Sequence, residues 1–85
     1  MTRQQAEIVE KRRFLRQEYG GLMTLKDLAH ELGFRDPRAA KGWAVTNQIR
    51  AVRMPTKGGN VCIKYDTDHV AQTIVKLAVT ADMMI

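Results

Sequence analysis

Between Thr24 and Pro37 the sequence specifies two helices and a very short turn between them. Leu25, Leu28, Ala29 and Leu32 fall at i, i+3, i+4 and i+7, which is one face of a helix. Thr24 precedes them and Asp27 follows three residues later, the spacing of a capping box. Gly33 stops the helix, because glycine accepts the left-handed C-terminal conformation at little cost. Phe34 then offers an apolar plug for the turn. Asp36 suits an N-cap and Pro37 the first helical position, so a second helix starts at once. A turn this short makes the two helices cross steeply, as in a helix-turn-helix.

The remaining elements arrange themselves around that pair. Residues 3–19 read as a first helix, capped by Thr2 with Gln5 and ended by Gly20-Gly21. Ala6, Ile8, Phe14, Leu15 and Tyr19 supply its apolar surface. The helix after Asp36 turns Ala40, Trp43 and Ala44 inward and Arg38, Lys41, Gly42 and Val45 outward, and fades around Thr46–Gln48. Phe14, Tyr19, Phe34 and Trp43 are expected in the core. Branched residues over Ile49–Met54, a turn over Pro55–Asn60, and alternation at Val61, Ile63 and Tyr65 predict a β-hairpin. Asp66-Thr67-Asp68 then caps a last helix over 68–84, striped by Val70, Ile74, Leu77, Ala81 and Met84. The expected fold is mainly α with a small β-hairpin, in the order α-α-α-β-β-α. It is one domain built from segments 3–19, 25–48, 49–65 and 68–84. A basic hairpin directly behind the second helix of the pair is the layout of a winged helix-turn-helix.

Size and missing residue types exclude most chemistry. Eighty-five residues make one domain with a thin core, too small for a dinucleotide-binding enzyme. The chain contains no serine, one cysteine (Cys62) and two histidines (His30 and His69). No nucleophile comes with a base and an orienting partner, and no ligand pair has metal spacing. We therefore expect no enzyme activity, no cofactor, no metal and no small-molecule substrate. His30 reads as a solvated surface residue, and neither histidine is assigned a role. Asp66 and Asp68 read as helix caps rather than paired catalytic carboxylates. No uncharged stretch approaches the ~20 residues of a membrane helix, and the N-terminus carries no apolar export segment. A lone cysteine agrees with a reducing compartment, so a cytoplasmic, nucleoid-associated location is expected.

Charge is where the sequence becomes informative about partners. The formal net charge is +5, and the excess is not scattered. Arg35, Arg38, Lys41, Arg50, Arg53, Lys57 and Lys64 lie in one stretch whose only acid is Asp36. Such a block suits a polyanion, since each neutralised phosphate releases condensed counterions. The competing reading is a solvated basic face. That reading is preferred for Lys11, Arg12, Arg13 and Arg16, which Glu7, Glu10 and Glu18 offset locally. Arg38 and Lys41 are the candidates for major-groove contact, and Arg35 for phosphate. Thr46, Asn47 and Gln48 could bond to DNA or cap the chain reversal. Arg50, Arg53, Lys57 and Lys64 are hairpin candidates, with Lys57 at the tip. No aromatic set of the kind that stacks single-stranded bases is apparent, so the expected partner is double-stranded DNA.

Leu25-Lys26-Asp27-Leu28-Ala29-His30-Glu31-Leu32-Gly33-Phe34 resembles the first helix and turn of excisionase-type, MerR-like winged domains. Ile49–Met54 with Lys57–Ile63 is similar to their wing, and Asp66–Ile74 to the short helix that follows it. The resemblance spans about residues 24–75. The charged helix before it also looks like small phage regulators of the pyocin-activator kind. The resemblance implies sequence-specific DNA binding by an accessory protein of a phage or mobile element. Such a protein biases an integrase toward excision or regulates transcription, with an integrase contact or self-association on DNA. A rival expectation is a protein-binding adaptor or inhibitor acting on a host or phage protein. It would use the apolar last helix through Val75, Val79, Met83 and Met84.

Overall fold

The computed structural model describes residues 1–78. The chain order is α1 (Arg3–Tyr19), β1 (Leu22–Met23), α2 (Leu25–Leu32), α3 (Pro37–Thr46), β2 (Ala51–Pro55), β3 (Val61–Asp66) and α4 (Thr67–Leu77). The described part is mainly helical with a three-stranded antiparallel sheet in the order β1-β3-β2. The expected order of elements is therefore corrected by one strand. The sequence assigns no element between Gly21 and Thr24, but Leu22 pairs with Asp66 and Met23 with Tyr65. A two-residue strand has no periodicity to read, and the pairing partner lies far along the chain.

Local signals set the helix ends. Both capping boxes form: Thr2 with Gln5 on α1, and Thr24 with Asp27 on α2. Asp36 Oδ1 accepts from the Arg38 backbone N–H, with Pro37 in the first turn. Gly33 ends α2 at φ 78°, and the Phe34 N–H closes back onto the Ala29 carbonyl at 2.9 Å. Asp66 caps α4 through the Asp68 N–H. Within the described residues α4 stops at Leu77, because Ala78 is extended (φ −67°, ψ 133°). The expected helix over 68–84 is corrected to that extent. Val79, Ala81, Met83 and Met84 lie outside the described residues.

The hairpin also shifts. Ile49 was expected in its first strand, but it is buried ahead of β2. Pro55, expected in the turn, pairs with Val61 at the end of β2. Proline is tolerated there because β2 is an edge strand and needs no outward N–H. The loop is closed by the Thr56 N–H donating to the Asn60 carbonyl at 2.8 Å. Gly58 and Gly59 both take positive φ, 92° and 84°, which other residues adopt only with strain.

The core is small, as the length requires. Leu15, Met23, Leu28, Ala29, Ala40, Ala44, Ile49, Tyr65, Val70 and Ala71 are buried. Tyr19, Leu25, Leu32, Trp43 and Ile74 pack against them while half-buried. Two core expectations fail: Phe14 is 53% exposed and Phe34 38% exposed. Phe14 sits on a flank of α1 that α4 does not cover fully, and its ring lies 5.7 Å from Lys11 Nζ. Phe34 lies in a turn whose backbone bonds already fix the two helices.

Charged groups tie α1 to the rest. Arg16 makes a two-pronged pair with Asp68 at the start of α4, Nε to Oδ1 at 2.7 Å and Nη2 to Oδ2 at 2.9 Å. Lys11 Nζ bonds to Glu31 Oε2, and the Tyr19 hydroxyl donates to Glu31 Oε1, both at 3.2 Å. Burial, reinforced by the Glu31 carboxylate, pushes the Tyr19 hydroxyl up to about 12.

Two outcomes follow for stability. Thr67 is fully buried, and its Oγ1 has no hydrogen-bond partner among the described residues. A buried, unpaired hydroxyl costs about 1–3 kcal/mol, so Thr67→Val should raise stability by about 1 kcal/mol in urea unfolding. A lowered urea midpoint would mean the hydroxyl is satisfied. The second outcome concerns acid. The Arg16 guanidinium holds Asp68 below its ordinary carboxylate range. That contribution is present above the ordinary range and is lost as pH falls through the depressed folded-state value. Asp68→Asn should be less stable at neutral pH and lose less stability on acidification. Parallel stability-against-pH curves for parent and variant would refute the pairing.

Candidate nucleic-acid interface

The site is built on α3 and on the sheet face beside it. Ala40 and Ala44 are buried and Trp43 is half-buried, as expected, so α3 is pinned along one side. The small side chains of Ala40 and Ala44 let α3 sit close on α2. Arg38, Lys41 and Val45 are exposed and follow one another at steps of three and four along the opposite side. Arg35 is exposed in the turn just before α3.

Strand register decides which hairpin residues share that side. Cross-strand partners in an antiparallel pair point to the same face. Ala51 pairs with Tyr65, Arg53 with Ile63, and Pro55 with Val61. Tyr65 and its β1 partner Met23 are both buried, so this face is the one turned to the core. Toward the hairpin tip the face leaves the core and becomes exposed, at Ile63 (40%) and Val61 (55%). A shallow groove runs between it and α3, lined by Lys41, Val45, Gln48, Ala51 and Ile63. Arg53, across from Ile63, is exposed on the same face. Thus Lys41 and Arg53 border one surface, with Arg38 farther along α3 on its outer side.

Lys64 is placed otherwise. Its partner is Val52, and with Met54 and Cys62 they form the reverse face of the hairpin. Lys64 is half-buried there. Lys57 is exposed in the closing loop, at the far end of the hairpin from α4. Arg50 has an exposed side chain, but its backbone is fixed. The Arg50 N–H donates to His69 Nδ1 at 2.8 Å, and the Arg50 carbonyl accepts from the Asp66 N–H at 2.9 Å. His69, given no role from sequence, thereby anchors the root of the hairpin to α4. A bond between a loop backbone and a distant side chain leaves no trace in spacing.

Arg38 is exposed over 90% of its side chain but is not unpaired. Its Nη2 lies 2.9 Å from Asp36 Oδ2, and its Nε also reaches that carboxylate. Asp36 is therefore both the cap of α3 and a brace for Arg38. The Arg38 side chain and then its backbone N–H hold the Asp36 carboxyl below its usual range. The brace fixes the guanidinium at the start of α3 and leaves other N–H groups to reach outward.

Thr46 and Gln48 differ from each other. Thr46 is an exposed last residue of α3. Gln48 has φ 51°, the single non-glycine residue with positive φ among those described. It occupies the left-handed position after α3, where the Ile49 N–H turns back to the Ala44 carbonyl at 2.9 Å. Asn47 assists by donating Nδ2 to the Trp43 carbonyl at 2.8 Å. This reversal buries Ile49 and aims the chain into β2.

Among the described residues, no group of three or more His, Cys, Asp or Glu side chains is placed to hold a metal ion. No described helix is long and apolar enough to cross a membrane. No family model, curated protein or solved structure matches the chain.

The strained turn gives a direct test. A left-handed residue other than glycine costs about 1–2 kcal/mol. Gln48→Gly should therefore raise stability by about 1 kcal/mol in urea unfolding, while Gln48→Val, β-branched, should lower it. If the glycine variant were no more stable than the parent, the left-handed assignment would fail.

Proposed function

We propose that this protein binds double-stranded DNA sequence-specifically as a winged helix-turn-helix. In this reading α2 and α3 are the helix-turn-helix and the β2–β3 hairpin is the wing. Helix α3 enters the major groove, and the wing lies on the adjacent backbone or minor groove. The observation that carries the reading is the groove between α3 and the sheet, lined by Lys41 and by Ile63, whose cross-strand partner is the exposed Arg53. Arg35, Arg38 and Lys57 are exposed as well, in the turn before α3, in its first turn and in the hairpin loop. Lys41 and Arg53 stand on different elements, and the strand register that sets Arg53 on the α3 side of the hairpin supports the reading.

Each residue then has a distinct role. Arg38, braced by Asp36, and Lys41 present donors to base edges. Arg35, exposed in the turn before α3, meets phosphate. Arg53 and Lys57 neutralise the neighbouring strand, and Arg50 lies at the wing root. Lys64, on the reverse face, contributes to long-range attraction rather than contact. The biological setting we favour is a small accessory protein of a phage or mobile element. It would act as a recombination directionality factor with an integrase, or as a transcription regulator. We read the protein as a binder and not an enzyme.

A protein-binding role has one observation in its favour. Phe14 and Leu77 are each 53% exposed, and Phe14 shares a shallow depression with Val75, Glu7, Glu10 and Lys11. That patch is on the α1–α4 side and leaves the α3 surface unused, so it does not replace the DNA reading.

Duplexes selected from random-sequence DNA by the parent protein provide the test. Binding should weaken steeply with salt, since each phosphate contact adds about one unit to the log–log slope. Lys41→Glu or Arg53→Glu should abolish specific binding. Lys57→Ala should weaken binding to all duplexes alike, and Lys64→Ala should change it least. Gly42→Ala adds a steric probe, because a Cβ at Gly42 meets nothing within 4 Å. It should stabilise the fold by about 1 kcal/mol and, if α3 lies deep in a groove, weaken DNA binding. Parent-like binding by both glutamate variants in a gel-shift series would overturn the proposal.

A further inference from the structure

We infer that Val45 reads the C5-methyl group of a thymine in the major groove, which makes it a specificity-determining residue of the α3 surface. This rests on the DNA reading above and extends it from charge to base identity. Val45 is 69% exposed, the most exposed of the large apolar side chains among the described residues apart from Met1. It stands one turn after Lys41 on the outer side of α3, past the open Gly42. It borders the groove whose opposite wall carries Ile63, itself 40% exposed, with Arg53 as that residue's cross-strand partner.

An isolated exposed valine needs no explanation, but this one is set among cations. Arg38 and Lys41 precede it on α3, Arg35 lies in the turn before, and Arg53 is the cross-strand partner of Ile63 on the opposite wall. A surface so charged repels other cationic surfaces and attracts a polyanion, which selects DNA as the occupant of this apolar spot. In the major groove the only apolar group on a base-pair edge is the thymine methyl. Charged residues can contact phosphate or the hydrogen-bonding edges of guanine, but none can gain from a methyl group. Val45 can, by removing that methyl and its own two from water.

The test replaces the methyl without changing base pairing. A duplex selected by the parent protein is compared with the same duplex in which every thymine is deoxyuridine. The parent should bind the deoxyuridine copy about three- to fivefold more weakly, the value of one buried methyl group. Val45→Ala, whose single methyl stands farther from the base edge, should discriminate the two duplexes less than the parent does. Its salt dependence should match the parent's, because its phosphate contacts are intact. A parent that does not distinguish the two duplexes overturns the inference while leaving DNA binding in place. So does a Val45→Ala variant that keeps the parent's preference for the methylated copy. A Val45→Ala variant that binds DNA like the parent but alters sedimentation would assign Val45 to a protein contact and equally overturn it. Failure to recover any selected duplex would instead overturn the DNA reading itself, and the inference with it.

Discussion

Strand β3 is the member on which every other element depends. It is the central strand, bonded to β1 on one edge and β2 on the other. Its residue Tyr65 is buried, and its last residue, Asp66, is also the cap of α4. The Asp66 N–H is held by the Arg50 carbonyl, and the next N–H, that of Thr67, is held by Gly21. Within a few residues, then, β3 fastens the α1–α2 connection, the end of α3 and the start of α4. An isolated two-stranded hairpin is marginal in water, and the third strand with its buried face makes this one stable.

That arrangement explains how so small a core holds a defined surface. The buried set contains four alanines, Ala29, Ala40, Ala44 and Ala71. Alanines contribute little area each, but they let backbones approach closely and leave few rotamers to choose among. Polar ties supplement them: Arg16 with Asp68, Lys11 and Tyr19 with Glu31, and His69 with the Arg50 backbone. Exposed ion pairs contribute little individually, so their main effect is to fix where α1 and the hairpin sit. Helix α3 receives almost none of this polar support apart from its cap, and its outer side is left open to solvent.

Legibility followed the range of the interactions. Much of what neighbours in sequence set was readable: both capping boxes, the Gly33 stop, Pro37 after its cap, and the inward set of Ala40 and Ala44, though not the left-handed Gln48 or the end of α4. What needed a distant partner was not. Strand β1 exists only because β3 lies beside it, and the Arg50–His69 bond joins residues nineteen apart. Phe14 was misplaced because its aromatic character pointed inward, whereas the α1–α4 packing leaves that flank open. The surface shared by Lys41 and Arg53 was half legible. The charge block named the residues, but only strand register separates Arg53 from Lys64, which lie on opposite faces.

The departures from good local design are not spread evenly. Gly42 sits in mid-helix with open space where a side chain would go, which costs about 1 kcal/mol relative to alanine. Gln48 holds a left-handed conformation that glycine would adopt freely. Val45 leaves most of its surface in water. All three lie on α3 or at its end, while α1, α2 and α4 are conventionally capped and stop without strained non-glycine residues. A domain with a thin core has little stability to spare, so concentrated local cost needs an offset outside the folded chain. The binding we propose would provide one, since a close-fitting partner gains from a missing Cβ and an exposed methyl what the isolated fold loses. The unpaired Thr67 hydroxyl on α4 is a further local cost away from α3, whereas the three on and after α3 lie beside the groove that Lys41 lines.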